Sequence, residues 1–157
     1  MKLSQDLREF IELLISLKIE FVIVGAHALA WHGLPRYTKD VDFLVNTNET
    51  NADGLEKLLT EFGFGRLGLT ARDFTEPNQV IQLGMEPNRI DILTGISGGE
   101  WSEAWATREL GEMDGLPVCF LGKDAYLKIK IASGRPQDIA DAQRLQAIME
   151  NGSSDDS

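Results

Sequence analysis

The chain has 157 residues, of which 43% are hydrophobic and 25% charged, with a formal net charge of −10 and one cysteine. That length and balance describe one ordinary globular domain, and a charge this negative excludes gripping nucleic acid by a broad basic surface. A single cysteine excludes an intrachain disulfide and a cysteine zinc cluster, and no apolar run approaches the roughly 20 residues a membrane span needs.

In chain order, Ser4 is positioned to cap a helix whose apolar residues Leu7, Phe10, Ile11, Leu14, Ile15 and Leu17 recur at helical spacing, with Asp6 in the first turn. FVIV, residues 21–24, reads as a buried strand ending at Gly25, followed by a short helix AHALAWH that Gly33 and Pro35 stop. DVDFLV, residues 40–45, alternates: Val41, Phe43 and Val45 on one face, Asp40 and Asp42 on the other. NTNETNADG is expected to be a polar loop and LEKLLTEF a helix closed by Gly63. VIQLGM and RIDILTG read as strands joined by a turn at EPN. EWSEAWATREL is expected to be helical throughout, LPVCFL a short strand, and KDAYLKIKIA a helix ending at Gly134, with Pro136 opening a last helix. The fold class is α+β, a mixed α/β arrangement of a small sheet with helices. Residues 1–150 form the single domain and the polar segment 151–157 a disordered tail. The N-terminus lacks the pattern of a secretory signal, and a cytoplasmic location is expected.

The chemistry concentrates at the two aspartates. Residues two apart on a strand lie about 7 Å apart and point the same way. Two ionised carboxylates at that distance repel by roughly 2.4 kcal/mol at an effective dielectric of 20, and about 0.6 kcal/mol in water. In a pocket the pair wants a cation between its members, and Mg²⁺, or Mn²⁺ in its place, suits oxygen ligands completed by substrate phosphates. Asp91, a lone acid between Ile90 and Ile92, would converge on the same face if its strand neighbours DVDFLV. Taken singly, a D-x-D strand is also what a solvated face looks like, and Asp91 also reads as a strand-end acid paired with Arg89.

The joint pattern of glycine turn, helix, D-x-D strand and a later isolated acid resembles the polymerase-β-like nucleotidyltransferase superfamily. Within it the chain resembles small stand-alone bacterial nucleotidyltransferases, including those related to abortive-infection toxins, through GLPRYTKDVDFLV and KIASGRPQDIADAQRL. The resemblance runs from about Phe21 to Leu145. It implies that Asp40 and Asp42 hold metals on the nucleotide phosphates, and that Asp91 holds the catalytic metal and helps activate an acceptor hydroxyl. It also implies that Gly25 and Ala26 turn backbone N–H groups toward the triphosphate; Ala26 stands where the family commonly has Gly or Ser.

Arg36, Thr38 and Lys39 immediately precede the acids and are placed to fold over phosphates, or to serve as exposed loop residues. Lys130, Arg135, Asp138 and Asp141 can face one another across the last turn between helices. The resemblance has Lys130 reaching the nucleotide while the other three shape that edge; an interhelical salt-bridge cluster is the alternative. His27 and His32 read as packing or surface groups, Trp101 and Trp105 as core, and Cys119 as a buried thiol.

The implied activity is transfer of a nucleoside monophosphate from an NTP to an acceptor hydroxyl with release of pyrophosphate. The acceptor (a tRNA end, a protein hydroxyl or a small molecule) is open. Two other readings stand beside it. One is a non-catalytic nucleotide- or partner-binding domain. The other is a toxin–antitoxin component that works mainly by association with a partner protein.

Overall fold

The computed structural model describes residues 2–34, 38–84 and 89–155. The expected stop at Pro35, the phosphate contact from Arg36 and the turn at residues 86–88 lie outside them.

Helix α1 (Gln5–Ser16) starts where the sequence places it, with the Ser4 side chain accepting a hydrogen bond from Leu7 N. Its Leu7, Phe10, Ile11 and Leu14 are buried, and Phe10 meets Phe43 with ring centroids 5.6 Å apart. Strand β1 (Phe21–Val24) is wholly buried and leads directly into α2 (Gly25–Trp31). Strand β2 (Asp40–Val45) buries Val41, Phe43 and Val45 as the alternation requires. Leu44, on the Asp42 side, is buried as well, so the polar part of that face is confined to the start of the strand.

Helix α3 (Glu49–Glu61) corrects the sequence reading, because most of the segment expected to be a polar loop is helical. The polar residues there have structural partners. Asn48 caps the helix by accepting from Asn51 N at 2.8 Å. The buried Asn51 side chain accepts from Glu20 N at 2.6 Å and donates to Asn46 O at 2.8 Å, tying the helix start to the strands behind it. Two short 3₁₀ turns, Gly65–Leu67 and Ala71–Phe74, then lead to β3 (Val80–Gly84) and β4 (Arg89–Leu93).

A second correction follows. Helix α4 is only Trp101–Ala106, and Glu109 and Leu110, expected to end it, belong instead to β5 (Glu109–Met113). Strand β5 forms a hairpin with β6 (Leu116–Phe120) through Asp114 and Gly115, whose φ values of 50° and 81° fit a tight hairpin turn. Helix α5 (Lys123–Ser133) ends on left-handed Gly134, and α6 (Pro136–Asp155) packs against it. It continues into the segment expected to be an unstructured tail.

The six strands form one mixed sheet in the order β3-β4-β2-β1-β6-β5. Strands β2 and β4 are parallel neighbours, while β1 runs antiparallel to β2. This brings the D-x-D strand and the lone-acid strand side by side at the middle of the sheet.

Candidate active site

Register places the acids. Asp40 lies opposite Arg89 and Asp42 opposite Asp91, so four charged residues make a two-by-two block on one face of adjacent strands. On β3, Gln82 lies opposite Asp91 and extends that row toward the sheet edge. The convergence that the sequence made conditional on strand order is therefore present.

Electrostatics in the block are unbalanced. Burial pushes the Asp42 carboxyl up to about 7, and its contact with Asp91 and the nearby charge of Asp40 push the same way. Arg89 offsets part of this. It reaches Asp40 Oδ2 with Nη2 at 2.9 Å and Asp91 Oδ1 with Nε at 3.3 Å. Asp91 Oδ1 is buried yet accepts no well-formed hydrogen bond among the described residues.

Gly25 makes the turn beside these acids possible. Its φ is +73°, and a Cβ there would collide with Asp42 Oδ2. Only a glycine brings the backbone this close to the carboxylate. The first turn of α2 has no side-chain cap, so its N–H groups are not taken by one. Tyr126 on α5 donates from its hydroxyl to Gly25 O at 3.4 Å, linking the turn to the C-terminal helices.

A cleft of about 360 Å³ opens in front of this turn. Gly25 and Asp42 form one side, and Lys130, Ser133, Arg135 and Asp138 the other, with apolar Ile96, Leu121 and Ile129 between. Such a volume and mixed lining suit a small polar ligand with a flat apolar part. On the far wall Lys130 Nζ lies 3.0 Å from Asp138 Oδ1 and 3.5 Å from Asp141 Oδ2, and 5.2 Å from the centre of the Tyr126 ring. Ser133 Oγ is 2.6 Å, and Arg135 Nε 3.0 Å, from Asp138 Oδ2. The Ser133 hydroxyl and the Lys130 ammonium, helped by Arg135, hold the Asp138 carboxyl down at about 2.

Among the described residues no three acidic, histidine or cysteine side chains form a ready metal cage. Asp42 and Asp91 converge, while Asp40 is engaged by Arg89. The donor set still fits Mg²⁺, which binds through one or two carboxylates and keeps its remaining positions for water and phosphate. The under-satisfied Asp91 oxygen and the raised Asp42 carboxyl are what an acid pair short of a cation should show.

Of the residues singled out from sequence, Gly25, Asp42, Lys130, Arg135 and Asp138 line one cleft, and Asp40 and Asp91 flank it in the sheet. Ala26 follows Gly25 in the first turn of α2. Thr38 serves the start of β2, its Oγ1 accepting from Asp40 N at 3.0 Å, and Lys39 O accepts from Arg89 N at 3.2 Å. Sequence reasoning missed Tyr126 and Ser133 as site residues, and saw Arg89 only as a neutralising partner. The spacing of Tyr126 and Ser133 along α5, one turn on either side of Lys130, was the available signal. His27 and His32 are buried packing residues, with His32 Nε2 2.6 Å from Leu121 O. Two lesser expectations need adjustment. Trp101 and Trp105 are half-buried and stack on each other at 5.3 Å, and Cys119 is half-exposed.

Comparison with known proteins agrees with this geometry. The family described as nucleotidyl transferase AbiEii toxin, of a type IV toxin–antitoxin system, matches residues 13–85. That segment, just under half of the chain, includes Gly25, Asp40 and Asp42; Asp91 and the C-terminal helices lie beyond it. No curated protein is matched by the sequence. A crystal structure of a candidate nucleotidyltransferase from Thermotoga maritima superposes with a TM-score of 0.53 at 16% identity, covering 92% of this chain and 91% of that one. Over residues 13–85, which hold the glycine turn and the D-x-D strand, the chain is similar to that nucleotidyl transferase family, and over nearly its whole length it shares the fold of the Thermotoga maritima protein.

Proposed function

We propose that the protein is a Mg²⁺-dependent nucleotidyltransferase, able to use Mn²⁺, that moves a nucleoside monophosphate from an NTP to an acceptor hydroxyl and releases pyrophosphate. The observation that carries this reading is Asp42 opposite Asp91, with the Gly25 turn folded against the Asp42 carboxylate at the mouth of the cleft. When bound, a divalent cation would neutralise charge on the phosphates and make the acceptor oxygen more acidic.

The chain's own residues supply the rest. Asp42 and Asp91 give carboxylate ligands on rigid central strands, and Asp40 adds a third on the same face. Asp91, the more buried, would hold the catalytic metal and help activate the acceptor hydroxyl. Gly25 and Ala26 let the backbone approach the triphosphate without a side chain between. Lys130 and Arg135 set positive charge opposite the acids, and an ammonium with three donors has one left for a phosphate oxygen after two acid contacts. Thr38 and Lys39 lead into the start of β2, beside Asp40. Catalysis is then mostly positioning and charge neutralisation.

Label transfer from α-phosphate-labelled NTPs to total RNA, protein or small-molecule acceptors tests this reading. Transfer that requires Mg²⁺ and Asp42 supports it; label incorporation equal in wild type and Asp42→Asn would sink it. The family's description extends the proposal to a toxin working against an antitoxin partner. Growth arrest on expression, lost in Asp42→Asn, is the expected result there, with the partner recovered by its ability to restore growth.

A further inference from the structure

We propose that Arg89 is a built-in stand-in for the divalent cation. Its guanidinium neutralises the acid block in the metal-free protein and has to leave when the cation binds. This rests on the metal-site reading above and adds a residue and a step that the reading does not contain.

The geometry is specific. Arg89 uses two different nitrogens on two different acids, Nη2 to Asp40 Oδ2 at 2.9 Å and Nε to Asp91 Oδ1 at 3.3 Å. The planar, fixed fork of guanidinium makes this spanning contact, which a single ammonium cannot reproduce. Among the described residues Asp40 forms no three-acid cage with Asp42 and Asp91, and its Oδ2 is the oxygen that Arg89 holds most closely.

Arg89 is equally well placed to leave. Its side chain is 46% exposed, so no packing locks it down, and exposed ion pairs are individually weak. The residue opposite it on β3 is Gly84, and among the described residues nothing lies within 4 Å of where a Cβ would stand there. A displaced guanidinium needs no rearrangement of the sheet. A displaced Arg89 would still carry its positive charge beside the acid block.

The test is calorimetric titration of the metal-free protein with MnCl₂ at pH 8, for wild type, Arg89→Gln and Arg89→Lys, after circular dichroism has confirmed that all three are folded. Arg89→Gln removes the competitor and is expected to bind Mn²⁺ about three- to tenfold more tightly, as loss of one exposed and one partly buried ion pair implies. Arg89→Lys keeps the charge but cannot span both acids, and is expected to bind about threefold more tightly than wild type. If Arg89→Gln binds no more tightly than wild type, the stand-in role is wrong. If only Arg89→Gln tightens while Arg89→Lys matches wild type, general charge rather than the spanning contact is at work, and the proposal is overturned. Absence of Mn²⁺ binding in wild type and both variants removes the metal-site reading itself, and the stand-in with it. Asp42→Asn serves as the control expected to lose Mn²⁺ binding.

Discussion

Two charged clusters face each other across the cleft, and they are built on opposite principles. On the sheet, Asp40, Asp42 and Asp91 share one arginine, and the most crowded carboxyl is pushed up to about 7 by burial and by its neighbours. On the helices, Asp138 and Asp141 are matched by Lys130, Ser133 and Arg135, and the Asp138 carboxyl is held down at about 2. The same residue type is left short of positive charge on one wall and supplied with it on the other. Structural acids are normally satisfied by the protein that carries them. In the helical cluster Asp138 meets that rule and fixes the α5–α6 edge; the sheet cluster carries a carboxyl raised to about 7 at the mouth of a cleft, as a cation site would.

Altering each wall sharpens the contrast. The largest effect is expected from Asp42→Asn, which should lower nucleotidyl transfer by about 10²–10³-fold, the scale of losing one charge-stabilising group in an active site. Lys130→Met should act mainly on stability instead. It leaves two acids facing each other without their ammonium, and removing one partner of a largely buried pair costs about 3 kcal/mol, readable in urea unfolding. A comparable loss from Asp42→Asn would erase the distinction between the two walls.

Gly25→Ala forces a side chain into left-handed backbone and against Asp42, at a cost of about 1–2 kcal/mol, together with weaker nucleotide binding. pH provides a finer test in the metal-free protein. A carboxyl raised to about 7 burdens the folded state as it ionises, so its penalty is absent below about pH 4 and complete above pH 7. Asp42→Asn should therefore melt higher than wild type at pH 8, by about 1 kcal/mol after allowing for solvent screening, and the gain should vanish near pH 4. The Asp138 contribution has the opposite sign. It is present above about pH 4 and lost as pH falls toward 2, so Asp138→Asn should cost stability at pH 7 and nothing at pH 2. Arg135→Ala is expected to have the smallest effect, under about 1 kcal/mol, because its side chain is 79% exposed.

Much of this was legible from particular residues. Ser4, the FVIV run, Gly25, the D-x-D alternation and the Gly134–Pro136 helix break each carry a local signal strong enough to survive tertiary context. The start of α3 was not legible, because Asn48, Asn51 and Asp53 read as loop composition until the partners of Asn51 are known. Strand β5 was missed because its ELGEM sequence lacks an apolar alternation and continues a helix-forming run, although the Asp114–Gly115 hairpin signal follows it. Within the site, the acids were readable one by one. Their sharing of a row depended on β2 and β4 being neighbours, which no local pattern encodes. Arg89 was visible only as a neutralising partner, since its span across two acids exists only in register.

The most direct test of the unbalanced wall is thermal melting of wild type and Asp42→Asn with each NTP, with and without Mg²⁺. A ligand at a hundred times its dissociation constant adds about 2.7 kcal/mol, which is about 5–11 °C for a domain of this size. A shift of that order in wild type alone, and only with Mg²⁺ present, is the expected result. No shift with any nucleotide, or an equal shift in Asp42→Asn, would contradict the assignment of the acid row to a metal–nucleotide complex.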